Sequence, residues 1–293
     1  MGDQADYADM ALSPDGKRAV VSVLDPVRST RDLWMYEVDR GVRTRFTFDP
    51  ADEISPVWSP DGSRIVFAST RKGGIDIYQK DTNGAGAEVV VVEGGMGKFP
   101  ASWSPDGRSI VHVYGSGTLR MSDLWVLQPG DGDGKSKTFP FLESPAIETQ
   151  AQFSPDGRWI AYMTGPIEAP AQRDVLIAPF PGPGRTWRVS QDFGWWPRWR
   201  RDGSELFYLA QDNTLMAASI STQGSTLEVG VIRPLFKIRP RPMVRQDAYP
   251  FDVSRDGQRF LVNTLVEDVT STPITLVVNW ARALQSTRMT ETR

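Results

Sequence analysis

The chain has 293 residues and a formal net charge of −3 at pH 7, which is compatible with one large domain and gives no overall positive field for nucleic acid. Nucleic acid is therefore not an expected partner. The absence of cysteine excludes disulfides, thiolate metal sites and cysteine nucleophiles. The 26 glycines and 22 prolines are spread along the chain, a distribution typical of turn-rich β structure.

Residues 1–10 carry three aspartates and no apolar run, so we expect neither a signal peptide nor a membrane span in this sequence. The expected location is the cytoplasm, and a membrane is not an expected partner. An export signal or membrane anchor supplied by an upstream region remains an open alternative.

A turn motif recurs six times, with spacings of 46, 45, 50, 46 and 54 residues between its aspartates. Proline presets φ, aspartate caps its own turn, and glycine adopts the positive φ that a tight hairpin needs. Four copies read Ser-Pro-Asp-Gly and the last two are degenerate. The copies begin at Ser13, Ser59, Ser104, Ser154, Arg200 and Ser254.

Each repeat contains four strand patterns in the same order. The strand before the turn ends in a bulky residue such as Trp58, and residues 64–68 after it alternate. A third strand follows, as in residues 32–36, and a fourth, as in residues 88–92. The sequence therefore predicts an all-β, six-bladed β-propeller with four-stranded antiparallel blades. The predicted blades cover 1–48, 49–93, 94–143, 144–190, 191–237 and 238–284 of a single domain, before a polar tail at 285–293.

The last blade has only three clear strand patterns, at residues 249–254, 259–265 and 273–280. We therefore predict that this blade is three-stranded and that it closes against blade one mainly by side-chain packing. The outer edge of residues 274–279 would then be partly open. An open edge favours pairing with a second copy of the chain, so a homodimer is an expected assembly.

The order Pro-x-Trp-Ser-Pro-Asp-Gly, Ile-x-Phe-x-Ser and Asp-Ile-Tyr resembles the repeat of TolB-like (PD40, WD40-like) β-propellers. Residues 46–81 and the ending at 274–280 also resemble propellers fused behind bacterial Ser/Thr kinase domains. The resemblance implies a sensory, scaffolding or ligand-binding propeller. The only histidine, His112, is followed by Val113 and Tyr114 instead of Arg and Asp, so kinase activity is not expected.

Other catalytic and metal motifs are weak. A serine peptidase is not expected, because His112 lies among apolar strand residues and the chain has no Gly-x-Ser-x-Gly elbow. Zinc is disfavoured by the lack of cysteine and of further histidines. Residues 131–134 imitate the start of a calcium loop but lack its later glycine and glutamate, so a polar turn is the better interpretation.

The loops entering the innermost strands are predicted to ring the channel mouth on the face opposite the Asp-Gly turns. Binding residues concentrate on such loops. Carboxylates from four blades form a candidate Ca²⁺ site: Asp9, Glu53, Glu148 and Asp247. The predicted ligand-binding residues are Lys98, Trp195, Trp196, Tyr249 and, from a second set of loops, Arg71. Ordinary solvated charge is the alternative for any one of the charged residues.

Two functions follow from this prediction. The first is a non-catalytic sensory or scaffolding propeller that engages a protein or small ligand at the channel mouth. The second is a calcium-dependent hydrolase of the lactonase type, in which a channel metal polarises the substrate carbonyl or activates water. The chain is similar to those hydrolases in blade count only, so whether it is an enzyme stays open.

Overall fold

The computed structural model describes residues 5–84, 86–115, 122–130, 135–169, 171–182, 184–241 and 248–264, and the backbone of 274–277. Within these ranges the named elements are all β-strands, and the strands form six antiparallel sheets. No helix in the described part is long and apolar enough to span a membrane. The all-β prediction is therefore confirmed.

The first three sheets have four strands each, and neighbours in sequence are neighbours in the sheet. Sheet one contains β1 (Tyr7–Leu12), β2 (Arg18–Asp25), β3 (Thr30–Glu37) and β4 (Arg43–Arg45). Sheet two contains β5 (Glu53–Trp58), β6 (Arg64–Ser69), β7 (Asp76–Asp81) and β8 (Val89–Val92). Sheet three contains β9 (Gly97–Trp103), β10 (Ile110–Gly115), β11 (Ser122–Gln128) and β12 (Lys137–Leu142).

The remaining sheets repeat this order. Sheet four contains β13 (Ile147–Phe153), β14 (Trp159–Gly165), β15 (Asp174–Pro179) and β16 (Trp187–Arg188). Sheet five contains β17 (Trp195–Trp199), β18 (Glu205–Leu209), β19 (Thr214–Gln223) and β20 (Thr226–Lys237). Sheet six has three described strands, β21 (Phe251–Val253), β22 (Phe260–Asn263) and β23 (Ile274–Val277). The predicted polar tail and the end of the predicted open edge lie outside the described residues.

Each motif copy forms the hairpin turn between the first two strands of a sheet. In sheet two, Gly62 has a φ of +71° and donates its N–H to the carbonyl of Ser59 at 2.9 Å. The Ser59 hydroxyl donates to Asp61 at 2.6 Å and accepts the N–H of Arg64 at 2.9 Å. Serine thus stabilises the turn from both ends, a role that the sequence prediction did not include.

In sheets one to five the first strand contains one extra residue relative to its partner. Between Ile54 and Val57, β5 advances three residues while β6 advances two, and Ser55 has a φ of +52°. Gln150 occupies the equivalent position of β13 and also has a positive φ. Such a bulge changes which face of the strand the preceding side chains occupy. It also aims the N–H of Ser55 at sheet one, where Asp9 accepts it at 3.1 Å.

Tryptophans before the motif connect neighbouring sheets. The indole N–H of Trp58 donates to the carbonyl of Ala11 in sheet one at 3.0 Å, and that of Trp199 donates to Gln152 in sheet four at 3.1 Å. Both rings are buried. These tryptophans therefore form core between sheets, because each fills an intersheet gap and also satisfies its polar N–H there.

Sheets one and six are also in contact. The N–H of Leu12 donates to the carboxylate of Asp252 at 2.7 Å, and the Asn263 amide donates to the carbonyl of Tyr7 at 2.9 Å. Hydrogen bonds therefore join the two sheets in addition to the side-chain packing that the sequence predicts.

Candidate functional site

A cavity of about 420 Å³ lies where the first strands of the six sheets converge. This volume is in the range of small-molecule pockets. One position lines the cavity in every sheet, two residues before the motif. The side chains at this position are Ala11, Val57, Ser102, Gln152, Arg198 and Asp252. At this position the wall is therefore apolar on sheets one and two and polar or charged on sheets three to six.

The cavity extends to the face that carries the Asp-Gly turns, not to the opposite face where the loops were predicted to bind. The second motif residue lines it in every copy: Pro14, Pro60, Pro105, Pro155, Arg201 and Arg255. The two degenerate copies thus place arginine where the other four place proline. Both arginines are exposed, and neither forms an ion pair with another residue of the described part.

Arg198 is the buried cation of the cavity wall, with 8 % of its surface exposed. Its guanidinium carbon lies 3.6 Å from the ring centroid of Tyr249. Its Nε lies 3.4 Å from Asp252 Oδ1 but makes no hydrogen bond there. Stacking on tyrosine holds the guanidinium in place and leaves its edge for further hydrogen bonds.

Two predicted site residues line this cavity. Asp9 is buried and accepts the N–H of Ser55. Tyr249 lies under Arg198, and its hydroxyl is 3.1 Å from the amide nitrogen of Gln152. Both side chains therefore belong to the wall, although each already holds a neighbouring sheet in place.

Glu53 and Arg71 lie elsewhere, within sheet two. Glu53 is fully buried and pairs with Arg71, which also contacts Glu88. The Arg71 guanidinium lies 4.2 Å from the ring centroid of Tyr78. Burial raises the pKa of the Glu53 carboxyl to about 7. The network also includes Thr47, which forms a hydrogen bond with Glu53, and neither predicted residue lines the cavity.

Lys98 and Glu148 are also occupied by contacts outside the cavity. The Lys98 ammonium donates to the carbonyls of Gly94 and Met96 and lies 3.4 Å from the Asp76 carboxylate. Glu148 accepts a hydrogen bond from the Ser144 hydroxyl, and burial raises its pKa to about 7. Neither residue is part of the cavity wall.

The predicted ring of four carboxylates combined two different strand positions. Asp9 lies four residues before its motif, whereas Glu53 and Glu148 lie six residues before theirs. Two residues along a strand correspond to about 7 Å, so treating these positions as equivalent was wrong. No group of three His, Asp or Glu side chains in the described part could hold a metal. Asp247 and residues 131–134 lie outside the described residues.

The predicted tryptophan pair is directed toward the core. Trp196 is buried, its backbone has a φ of +58°, and its indole N–H donates to the carbonyl of Ala248 at 2.8 Å. Trp195 is half-buried and packs against the same hydrophobic cluster. Neither ring lines the cavity.

Sequence reasoning missed Gln152, Arg198 and Asp252 in the wall and Arg201 and Arg255 at the rim. Two signals were available. Counting backwards from the motif aligns the wall residues, and comparison of the copies shows arginine replacing proline. The assignment of the site to the longer loops obscured both signals.

The comparisons with known proteins agree with this architecture. The TolB β-propeller domain family model (PD40) matches residues 7–128. Dipeptidyl-peptidase 5 of Porphyromonas gingivalis is 26 % identical over 266 residues, covering 86 % of this chain and 36 % of that protein. The uncharacterized peptidase YuxL of Bacillus subtilis is 34 % identical over 208 residues, covering 58 % and 31 %. The chain thus spans about a third of the length of these two relatives.

A similar solved structure is TolB from Acinetobacter baumannii, with a TM-score of 0.69 and 16 % identity. The match covers 92 % of this chain and 63 % of that one. At this identity the likeness shows the propeller fold and nothing about a ligand. With the repeated turn motif, the family-model match over residues 7–128 supports a TolB-like β-propeller family for this chain.

Proposed function

We propose that the chain is a ligand-binding propeller whose central cavity receives a small ligand or a segment of a protein. The observation that carries this proposal is the cavity of about 420 Å³ to which every sheet contributes a side chain. Its wall combines donors and acceptors, including Ser102, Gln152, Arg198 and Asp252. A concave site with a few convergent polar groups is the usual form of a binding pocket.

We also infer that the six sheets are blades of one closed ring. The bonds from Leu12 to Asp252 and from Asn263 to Tyr7 support this, because they connect the first sheet to the last. A ring of this kind places the cavity on its axis, where one ligand can contact all six blades.

We favour binding without catalysis. His112 is buried in β10, and burial lowers its pKa to about 4. Its Nδ1 lies 3.3 Å from the carbonyl of Val113, and it does not line the cavity. The cavity serines therefore have no imidazole beside them to act as a general base. The names of the two peptidase relatives describe proteins about three times as long as the stretch that matches this chain.

The calcium-dependent hydrolase is the weaker candidate. Glu53 is buried and pairs with Arg71, Glu148 is buried and accepts from Ser144, and Asp9 already accepts the N–H of Ser55. A calcium ion needs six to eight oxygen ligands around one point. No observation on the described residues favours such a cluster.

The test is to block the cavity. Ala11 faces the cavity, so Ala11→Trp should fill it, whereas Val231→Trp places the same ring on an exposed outer strand. Short peptides and small organic acids would be screened by thermal shift against the wild-type chain. A ligand lost in Ala11→Trp and retained in Val231→Trp supports the proposal. Ligands that bind the blocked variant with unchanged affinity would place the site elsewhere.

The remaining expectations stay predictions. They are a single domain over residues 1–284, a cytoplasmic location, the absence of nucleic-acid and membrane partners, and homodimer formation through the outer edge of the last blade.

A further inference from the structure

We propose that the ligand of the central cavity carries a carboxylate, which Arg201 and Arg255 bind where the cavity reaches the Asp-Gly turns. This inference rests on the proposed function, because it names the chemical class that the same cavity recognises. It concerns a rim position that is proline in the other four motif copies.

Three of the four prolines at this position pack on the glycine of the next turn. A Cβ placed on Gly62 would lie 3.6 Å from Pro14, one on Gly157 would lie 3.5 Å from Pro105, and one on Gly203 would lie 3.9 Å from Pro155. Nothing lies within 4 Å of such an atom on Gly107 or Gly16, the glycines that follow Pro60 and Arg255. The nearest atoms to a Cβ on Gly257 belong to Arg200, at 3.1 Å. Arg255 therefore does not make the contact of these three prolines, and Arg200 takes the place of Arg201 in it.

The charge of these arginines is not balanced within the described residues. Arg200, directly before Arg201, lies 3.2 Å from Asp202 and 3.1 Å from Glu205. Its neighbour Arg201 and the equivalent Arg255 have no such partner in the described part of the chain. Both line the cavity, so two guanidinium groups are available at one side of its rim.

A third guanidinium lies deeper on the same side. Arg198 is buried, its face rests on Tyr249, and its Nε lies 3.4 Å from Asp252 Oδ1 without a hydrogen bond to it. Guanidinium groups bind carboxylates through paired, charge-assisted hydrogen bonds. A carboxylate entering past the rim would thus meet three arginines from sheets five and six.

Asp9 and Asp252 line the same cavity and limit what else can bind. They would repel a ligand with acid groups along its whole length and would accept donors from the uncharged part of a ligand. The cavity therefore fits an acid group at the rim and neutral donors further inside.

The experiment measures binding of two acidic probes and their neutral counterparts by calorimetry at low ionic strength. The amidated peptide Ala-Ala-Ala-Glu is compared with amidated Ala-Ala-Ala-Gln, and galacturonate with galactose, so that each acidic probe carries a single carboxylate. The key variant is the double substitution Arg201→Pro and Arg255→Pro, which restores the residue found in the other four turns. Arg108→Ala is the control, because Arg108 is exposed at the turn of sheet three but does not line the cavity.

We expect at least one acid to bind the wild-type chain and the control variant. The same acid should bind the double variant more weakly, by a factor of roughly ten or more. Its neutral counterpart should not bind, and added salt should weaken the complex. The acid that binds identifies the source of the carboxylate as peptide or sugar acid.

The inference fails if neither acid binds, if the double variant binds as tightly as wild type, or if the neutral counterpart binds equally well. A neutral ligand that is lost in Ala11→Trp but insensitive to the double variant would overturn the inference while leaving the proposed function intact. An acid that still binds Ala11→Trp would contradict both.

Discussion

Glu148→Gln should stabilise the protein at alkaline pH and leave its stability unchanged at acid pH. Glu148 is buried, and its Oε1 accepts a hydrogen bond from Ser144. Burial raises its pKa from 4.5 to about 7. Glutamine has the same shape and can still accept from Ser144, but it cannot ionise.

The sign of the stability change follows from the direction of the pKa shift. A carboxyl whose folded pKa is raised contributes stability below its unfolded pKa and loses it as the pH rises through the folded value. Between pH 4.5 and about 7, Glu148 should therefore cost the wild-type protein about 3 kcal/mol, at 1.36 kcal/mol per pKa unit. The variant does not incur this loss, so its unfolding temperature should exceed that of wild type by about 5 °C or more at pH 8.

The measurement is thermal and urea unfolding of both proteins at pH 4.5 and pH 8. Glu143→Gln is the control, because this carboxyl precedes Ser144 but is exposed. Glu53 has a raised pKa as well, so the comparison is between variant and wild type at each pH and not between pH values. A Glu148→Gln variant that is destabilised equally at both pH values would refute the reasoning, since an effect independent of pH would mean that the pKa of Glu148 is not raised in the folded protein.

Three further predictions concern the turn, the closure and the metal. Gly62→Val should lower the free energy of unfolding by about 1–2 kcal/mol, because Gly62 has a φ of +71°. Gly74→Ala is the control and should have little effect. Equal stability of the two variants would contradict the turn geometry. Asp6→Ala removes a carboxylate that pairs with two arginines and should cost roughly 2 kcal/mol, whereas Glu93→Ala, at an exposed ion pair, should cost less. Urea unfolding that ranks the two variants in reverse would argue against closure through Asp6. Calcium or a chelator should leave the unfolding temperature unchanged. A rise in the unfolding temperature on adding calcium would support the predicted site of four carboxylates.

The repeat could be predicted from the sequence because its interactions are local. The Ser59 hydroxyl reaches Asp61 and Arg64, and Gly62 closes the turn back to Ser59, all within six residues. Such a unit folds into the same hairpin wherever it recurs. Regular spacing of the motif then indicates one sheet per repeat, and the structure has one sheet after another in that order.

The channel-facing residues could not be read from strand alternation. A regular strand would place residues two, four and six positions before the motif on one face. The extra residue near Ser55 and Gln150 breaks that alternation, so Val57 lines the cavity while Glu53 is buried beside Arg71. Nothing in the local sequence identifies this bulge, because Ser, Gln and Trp all occupy it in different sheets.

Long-range pairing likewise depended on the tertiary structure. Asp6 pairs with Arg241 across 235 residues, and Asp252 accepts the N–H of Leu12 across 240 residues. The sequence alone determined that this chain builds antiparallel sheets around a repeated turn, because each turn is stabilised by its own residues. Only the tertiary structure decided which charges are neutralised by distant partners and which remain available at the cavity, as those of Arg201 and Arg255 do. Such contacts depend on how the sheets are arranged around one another.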